Sequence, residues 1–241
     1  MDTAQLRAQI RTQIRTQIEE KFPAAFTLYR REDRGVIPTG ITPIDSTAQG
    51  VPLHGLTEIC GSSLNSSGKT SVLISLLARA SQDRCCALVD ASDSFHPQTG
   101  QAAGINLSRL LWVRCGKSKV KLRPLEQAFK VADILLQSGG FGLIAVDLSN
   151  LGERTVRKVP LSTWFRFSRV IEKQSSALVF IEQEPHATSC AQLVLRVQAE
   201  PRAFSRKLLT GFDLKVEVVR AGEKKPVCSE RSGFALQTQW A

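Results

Sequence analysis

No apolar stretch in the 241 residues approaches the ~20 needed to cross a bilayer. The first 22 residues carry Arg7, Arg11, Arg15, Glu19 and Glu20 where a secretory leader needs an uninterrupted apolar run. No membrane association is expected, and a cytoplasmic location is. Six cysteines (Cys60, Cys85, Cys86, Cys115, Cys190 and Cys228) form no C-x-x-C pair and have no histidine at zinc-ligand spacing. That excludes a disulfide framework and a structural zinc site, leaving reduced, mostly buried thiols as the expectation. Aromatic residues make up only 6% with a single Tyr, so no base-stacking platform is evident. His54, His96 and His186 stand isolated and are expected in loops, neither ligands nor bases. Acidic residues are the minority, 22 against 32 Lys plus Arg, for a formal charge of +10. Basic partners are thereby excluded, whereas nucleic acid, an anionic surface and acidic proteins all remain open.

What is present is the composition of a folded protein, 42% hydrophobic and 22% charged. Residues 3–22 read as one helix, because Leu6, Ile10, Ile14, Ile18 and Phe22 recur every four positions before Pro23 stops it. A strict period of four advances the apolar stripe by about 40° per step, so it spirals in a way suited to wrapping on a partner. Packing of this helix on its own domain is the alternative. The chain is accordingly divided into an amphipathic helix, 1–22, and a core, 23–241. Residues 23–55 are loop-rich, with Pro23, Pro38, Gly40, Pro43, Gly50, Pro52 and Gly55. Beyond them strand-like runs (56–60, 85–90, 142–147, 177–182) alternate with helix-like ones (71–81, 124–138, 160–173). The alternation predicts an α/β fold with a mainly parallel sheet and helices on both faces. Runs 191–198, 213–220 and 234–239 follow without long helices and predict an antiparallel extension of that sheet.

Between the first strand and the first helix lies I-C-G-S-S-L-N-S-S-G-K-T-S, 59–71. A phosphate-binding loop belongs at this junction, where backbone N–H groups and the positive helix end surround phosphates. In such a loop a Lys reaches the outer phosphate oxygens and a Ser or Thr hydroxyl ligates magnesium. Ser66, Ser67, Gly68, Lys69, Thr70 and Ser71 supply that end, with ATP and Mg2+ as the implied ligands. The usual spacing G-x-x-x-x-G-K-[ST] would put a Gly at position 63, which is Ser63; the Gly present is Gly61, so the loop is two residues longer. A second element, the apolar strand ending in Asp147, offers a carboxylate for magnesium, so Thr70 and Asp147 are the metal candidates.

With these residues placed, the chain resembles the RecA family over residues 34–236. The approach segment I-P-T-G-I-T-P-I-D (37–45), G-V-P-L-H-G-L-T-E-I-C-G, S-S-G-K-T, L-V-D-A (88–91) and V-F-I-E-Q (179–183) carry the likeness. The resemblance implies a RecA-like nucleotide-binding core. It also implies that Gln183 senses the γ phosphate. In recombinases a Glu after the D-A dipeptide polarises the attacking water; here that place is Ser92, which is no general base at neutral pH. Asp93, one residue on, is the alternative base. The loops after Asp147 (151–160) and after Gln183 (184–190), counterparts of the family's DNA loops, are short. A short RecA-like chain with an altered catalytic place and a long N-terminal helix is similar to the ImuA-type accessory proteins of translesion synthesis, and the run L-L-W-V-R (110–114) shares in that likeness. That similarity implies a DNA damage (SOS) response role beside an ImuB-like polymerase-family partner. The alternative is a DNA-dependent ATPase recombinase with strand-exchange activity.

The cations cluster. Lys117, Lys119, Lys121 and Arg123 alternate along an extended segment, Arg154, Arg157 and Lys158 lie in the counterpart of the first DNA loop, and Arg166, Arg169 and Lys173 share one helix face. That face is expected opposite Leu161, Trp164, Phe165, Ser168 and Ile171. Jointly these cations predict contact with the phosphate backbone of DNA, single-stranded DNA being the expected partner. Self-association or partner docking is expected through residues 3–22. Replacing Ile10, Ile14 and Ile18 by Ser is expected to abolish that association, measured by sedimentation or pull-down, while the core stays folded; association that survives would mean the stripe packs internally.

Overall fold

The computed structural model describes residues 35–61, 67–116, 123–205, 208–221 and 230–234. The predicted helix 3–22 and its boundary with the core lie outside the described residues, as do Ser66, Lys117, Lys119, Lys121 and the run 235–239.

The seven alternating elements form where the apolar periodicity puts them. Strands β3 (Gly55–Cys60), β4 (Cys86–Asp90), β6 (Leu143–Asp147) and β7 (Ala177–Glu182) are buried throughout, as near-continuous apolar runs covered on both faces must be. Helices α2 (Lys69–Ala80), α4 (Pro124–Ser138) and α6 (Leu161–Ile171) connect them. With β1 (Val36–Ile37), β2 (Val51–Pro52), β5 (Leu110–Arg114), β8 (Leu193–Ser205), β9 (Leu208–Ala221) and β10 (Glu230–Phe234), the main sheet runs β10-β9-β8-β3-β7-β6-β4-β5. Contacts among β8, β3, β7, β6, β4 and β5 are parallel, while β9 and β10 add antiparallel pairs. The predicted extension is therefore corrected in one respect. The run 191–198 becomes β8 and joins β3 in parallel; only its hairpin partner β9 turns the direction.

Helix α2 packs Val72, Leu73, Leu76 and Leu77 on one face of the sheet with Ile59, Leu88 and Ile181. On the other face α4 and α6 bury Ala128, Leu135, Trp164 and Phe167 with Val146 and Phe180. Trp164 is fully buried, edge-on to Phe180 at 4.9 Å and to Phe129 at 5.4 Å. The helix face expected for α6 is corrected here: Trp164, Phe167 and Ile171 are buried, whereas Leu161 and Phe165 stand 50% and 45% exposed. A period of 3.6 centres the inward stripe on 164, 167 and 171, leaving 161 and 165 on its outer flank.

The loop-rich stretch 35–55 holds a brace. In it β1 pairs with β2, and helix α1 (Thr42–Ala48) places Asp45 so that its carboxylate accepts from Thr39 N (2.8 Å), Thr39 Oγ1 (2.8 Å) and Gly40 N (2.9 Å). Ser75 of α2 donates to Thr39 O at 2.7 Å. The I-P-T-G-x-x-x-x-D segment thus clamps the helix that follows the phosphate loop. Two further short helices are α3 (Pro97–Ala102) and α5 (Glu153–Val156), the latter within the stretch 151–160 read from sequence as a loop.

Trp164→Ala removes a fully buried indole from an aromatic cluster, and denaturant unfolding is expected to show a loss of about 3–5 kcal/mol.

Candidate functional site

Strands β3 to β7 all end at one edge of the sheet, so their connecting helices begin there, which is where open parallel sheets bind ligands. Gly68 caps α2 with φ 79°, a left-handed conformation that favours glycine. At Gly61 a Cβ would come within 2.6 Å of Ser67 Cβ and Oγ and 2.8 Å of Val197 O. The lengthened loop therefore begins and ends at a close approach of Gly61 to Ser67. Lys69, 7% exposed, crosses this neck and donates from Nζ to Gly61 O at 2.7 Å. Burial lowers its pKa, opposed by the fields of Asp147 and Cys60. Asp147, buried at the end of β6, accepts from Ser149 N at 2.9 Å. Burial raises its pKa, held back by Ser149 and Lys69. Ser67 is buried, Gly68 and Ser71 are half-buried and Thr70 is exposed.

On the β4 side of the edge, Asp90 and Asp93 are both engaged by other groups. Asp90 accepts from Ser92 N (3.2 Å), Ser94 N (3.1 Å), Phe95 N (2.8 Å) and Trp112 Nε1 (3.3 Å), so its carboxylate is spent on shaping the turn. The Ser92 hydroxyl is buried without a hydrogen-bond partner among the described residues. Asp93, at φ 55°, forms a two-pronged ion pair with Arg114 at the end of β5, one prong at 2.9 Å. Arg114 lies over the Trp112 ring at 4.9 Å. This pair ties Asp93 to β5, which flanks β4 on the side away from β6, β7 and β3.

Gln183, just past β7, donates from Nε2 to Ser149 O (3.2 Å) and Leu151 O (3.0 Å), tying the end of β7 to the loop after Asp147. Beneath it lies a cluster that the sequence reading missed. Glu58 of β3 accepts from His186 N and Ala187 N, both at 2.6 Å, and His186 Nδ1 sits 2.6 Å from Glu182 Oε2. The reading of His186 as an isolated loop residue is thus corrected. The available signals were two acids in otherwise apolar strands and the spacing of four from Glu182 to His186. Burial lifts Glu182 to about 7, burial also raises Glu58, and the hydrogen bond to Glu182 raises His186. The loop 184–190 is thereby pinned to the strand that feeds the phosphate loop. His96, by contrast, caps α3 through its ring nitrogen, and five of the six cysteines are buried, free thiols.

Arg154, Arg157 and Lys158 are exposed on α5 and the turn after it, anchored by buried Val156. Arg169 and Lys173 are exposed on and just beyond α6, and Arg123 is exposed at the N-cap of α4. Arg166 pairs with Asp133 at 3.1 Å while its side chain remains 51% exposed. These cations lie on connections that start at the same sheet edge as Lys69 and Asp147.

The profile of the RecA N-terminal domain family matches residues 10–153. The chain belongs to the RecA N-terminal domain family. It is 36% identical over 121 residues to Protein RecA of Ectopseudomonas oleovorans, 49% of this chain and 32% of that one. It is 26% identical over 220 residues to Protein RecA of Aquifex aeolicus, 84% of this chain and 60% of that one. The chain thus spans about a third to three fifths of the length of these curated relatives. Within this RecA-type core no described helix is long and apolar enough to cross a membrane.

Glu182 and His186 both bind protons more tightly in the fold than in the unfolded chain. Stability is therefore expected to fall as pH rises from about 5 to 8, by on the order of 2 kcal/mol. Glu182→Gln should flatten that slope in unfolding measurements across the same range.

Proposed function

We propose that this RecA-type chain is a DNA-binding accessory protein of DNA repair that binds magnesium ATP and turns it over weakly or not at all. The observation that carries the reading is the pairing of a retained binding side with a spent catalytic side. Lys69 is buried at the neck of the loop facing Asp147, while Ser92 holds the place of the general base and Asp93 is committed to Arg114. The residues present fit a triphosphate: a buried ammonium, a left-handed Gly68 at a helix N-terminus and a carboxylate one strand away. A bound nucleotide supplies negative charge and a magnesium ion at that point. Ser66, Ser67, Gly68, Lys69, Thr70 and Ser71 would hold the phosphates, and Thr70 with Asp147 the ion. Lys69 gains by it, because its buried charge acquires a counter-charge. Gln183 is the γ-phosphate sensor in this reading, supported by its bonds to the loop that bears Arg154, Arg157 and Lys158.

Those three residues, with Arg166, Arg169, Arg123, Lys117, Lys119 and Lys121, supply phosphate-backbone contact with single-stranded DNA, which needs charge and no sequence code. At a finer level the chain acts as an ImuA-type factor in the cytoplasm, within the SOS response and translesion synthesis. In this role residues 1–22 dock on an ImuB-like partner or on a second copy, and residues 23–241 form the core. The second reading, a DNA-dependent ATPase recombinase, is favoured only if Asp93 leaves Arg114 and serves as base.

Phosphate release separates the two readings. The wild type is expected to show at most slow turnover that single-stranded DNA does not stimulate and Asp93→Ala does not change; DNA-stimulated turnover abolished by both Lys69→Ala and Asp93→Ala would establish the ATPase instead.

A further inference from the structure

The outer ridge of α6 is unlike the rest of the described surface. Leu161, Phe165 and Arg169 follow one another at spacings of four, so they form one row along the helix. Leu161 and Phe165 are two of the four large exposed hydrophobic residues among the described positions, and they stand one turn apart. Neither side chain is needed by the core, which α6 reaches through Trp164, Phe167 and Ile171. The row starts at the end of the sheet where Lys69 and Asp147 lie, directly after the turn that carries Arg154, Arg157 and Lys158. Those three cations and Arg169 pair with no carboxylate among the described residues. The acids of this region are Glu153, beside Arg154, and Glu172, three residues after Arg169, where it accepts from Ser168 Oγ at 3.3 Å.

An exposed aromatic face bordered by unpaired cations matches a ligand with flat apolar faces strung on negative charge. We propose that Leu161 and Phe165 form a base-contact ridge for single-stranded DNA, with Phe165 stacking on a base whose flanking phosphates meet Arg169 and the 154–158 turn. Duplex DNA does not offer this contact, because its base faces are already stacked. The ridge therefore confers the single-strand preference that charge alone does not give. Around the ridge Arg154, Arg157, Lys158, Arg169 and Lys173 outnumber Glu153 and Glu172, and this excess of positive charge favours the polyanion over a protein partner. This inference rests on the DNA-binding reading above.

Fluorescence anisotropy of the full chain would test it with three ligands of equal length: a thymidine oligomer, an abasic deoxyribose-phosphate oligomer and a duplex. The wild type is expected to prefer the thymidine oligomer. Phe165→Ala should weaken that binding about 5- to 30-fold, the effect of one base–aromatic contact, and leave the abasic strand unchanged. Phe165→Trp should restore it. Because Phe165 is exposed, thermal unfolding of Phe165→Ala should match the wild type. Equal binding of base-bearing and abasic strands, unaffected by Phe165→Ala, would overturn the ridge while leaving the DNA-binding reading intact. Failure of the wild type to bind any of the three would overturn both. Loss of self-association in Phe165→Ala, with DNA affinity unchanged, would assign the ridge to a protein contact instead.

Discussion

A buried ammonium sets the terms for the rest of the molecule. Lys69 is removed from water at the first turn of α2, where its Nζ donates a hydrogen bond to Gly61 O at 2.7 Å. Desolvation depresses its pKa, and the nearby Asp147 works against that depression. Holding a cation there requires a fixed neck between Gly61 and Ser67, a carboxylate at the same edge of the sheet, and a helix that does not slide. The fold meets each requirement: Gly61 admits no side chain, β6 ends on Asp147, and Asp45 with Thr39 clamps α2 through Ser75. An isolated buried charge is destabilising, so Lys69 would gain from an opposite charge brought to it.

The rest of the sheet edge is arranged around this point but divides in purpose. Toward β3, β6 and β7 the polar groups connect elements: Gln183 reaches the loop after Asp147, and Glu58 with Glu182 and His186 fastens the loop after β7. These bonds tie the ends of β3 and β7 to the loops 148–160 and 184–190. Toward β4 and β5 the carboxylates are consumed locally, Asp90 by four donors and Asp93 by Arg114. In the function proposed above, this division separates a side that would hold a ligand from a side whose carboxylates are already engaged.

Much of the fold was legible because apolar periodicity is a strong local signal. The segments 124–138 and 177–182 were bounded to the residue. Legibility ended where the outcome depended on neighbours distant in sequence. That β8 joins β3 in parallel is decided by the core between them, not by anything local to 191–198. His186 looked isolated because Glu58, 128 residues away, is what fixes its loop. Asp93 looked like a spare base because its partner Arg114 lies on the next strand. The outer position of Phe165 follows from the phase of α6, which the buried Trp164 and Phe167 set together and which counting Trp164 and Phe165 as one face obscured.

The central claim is that the Lys69 neck binds a magnesium nucleotide, and calorimetric titration of the wild type and of Lys69→Met with magnesium ATP tests it most directly. Saturable binding at one site by the wild type, lost in Lys69→Met while its unfolding transition is retained, is the predicted result. No binding by the wild type, or equal binding by both, would contradict it.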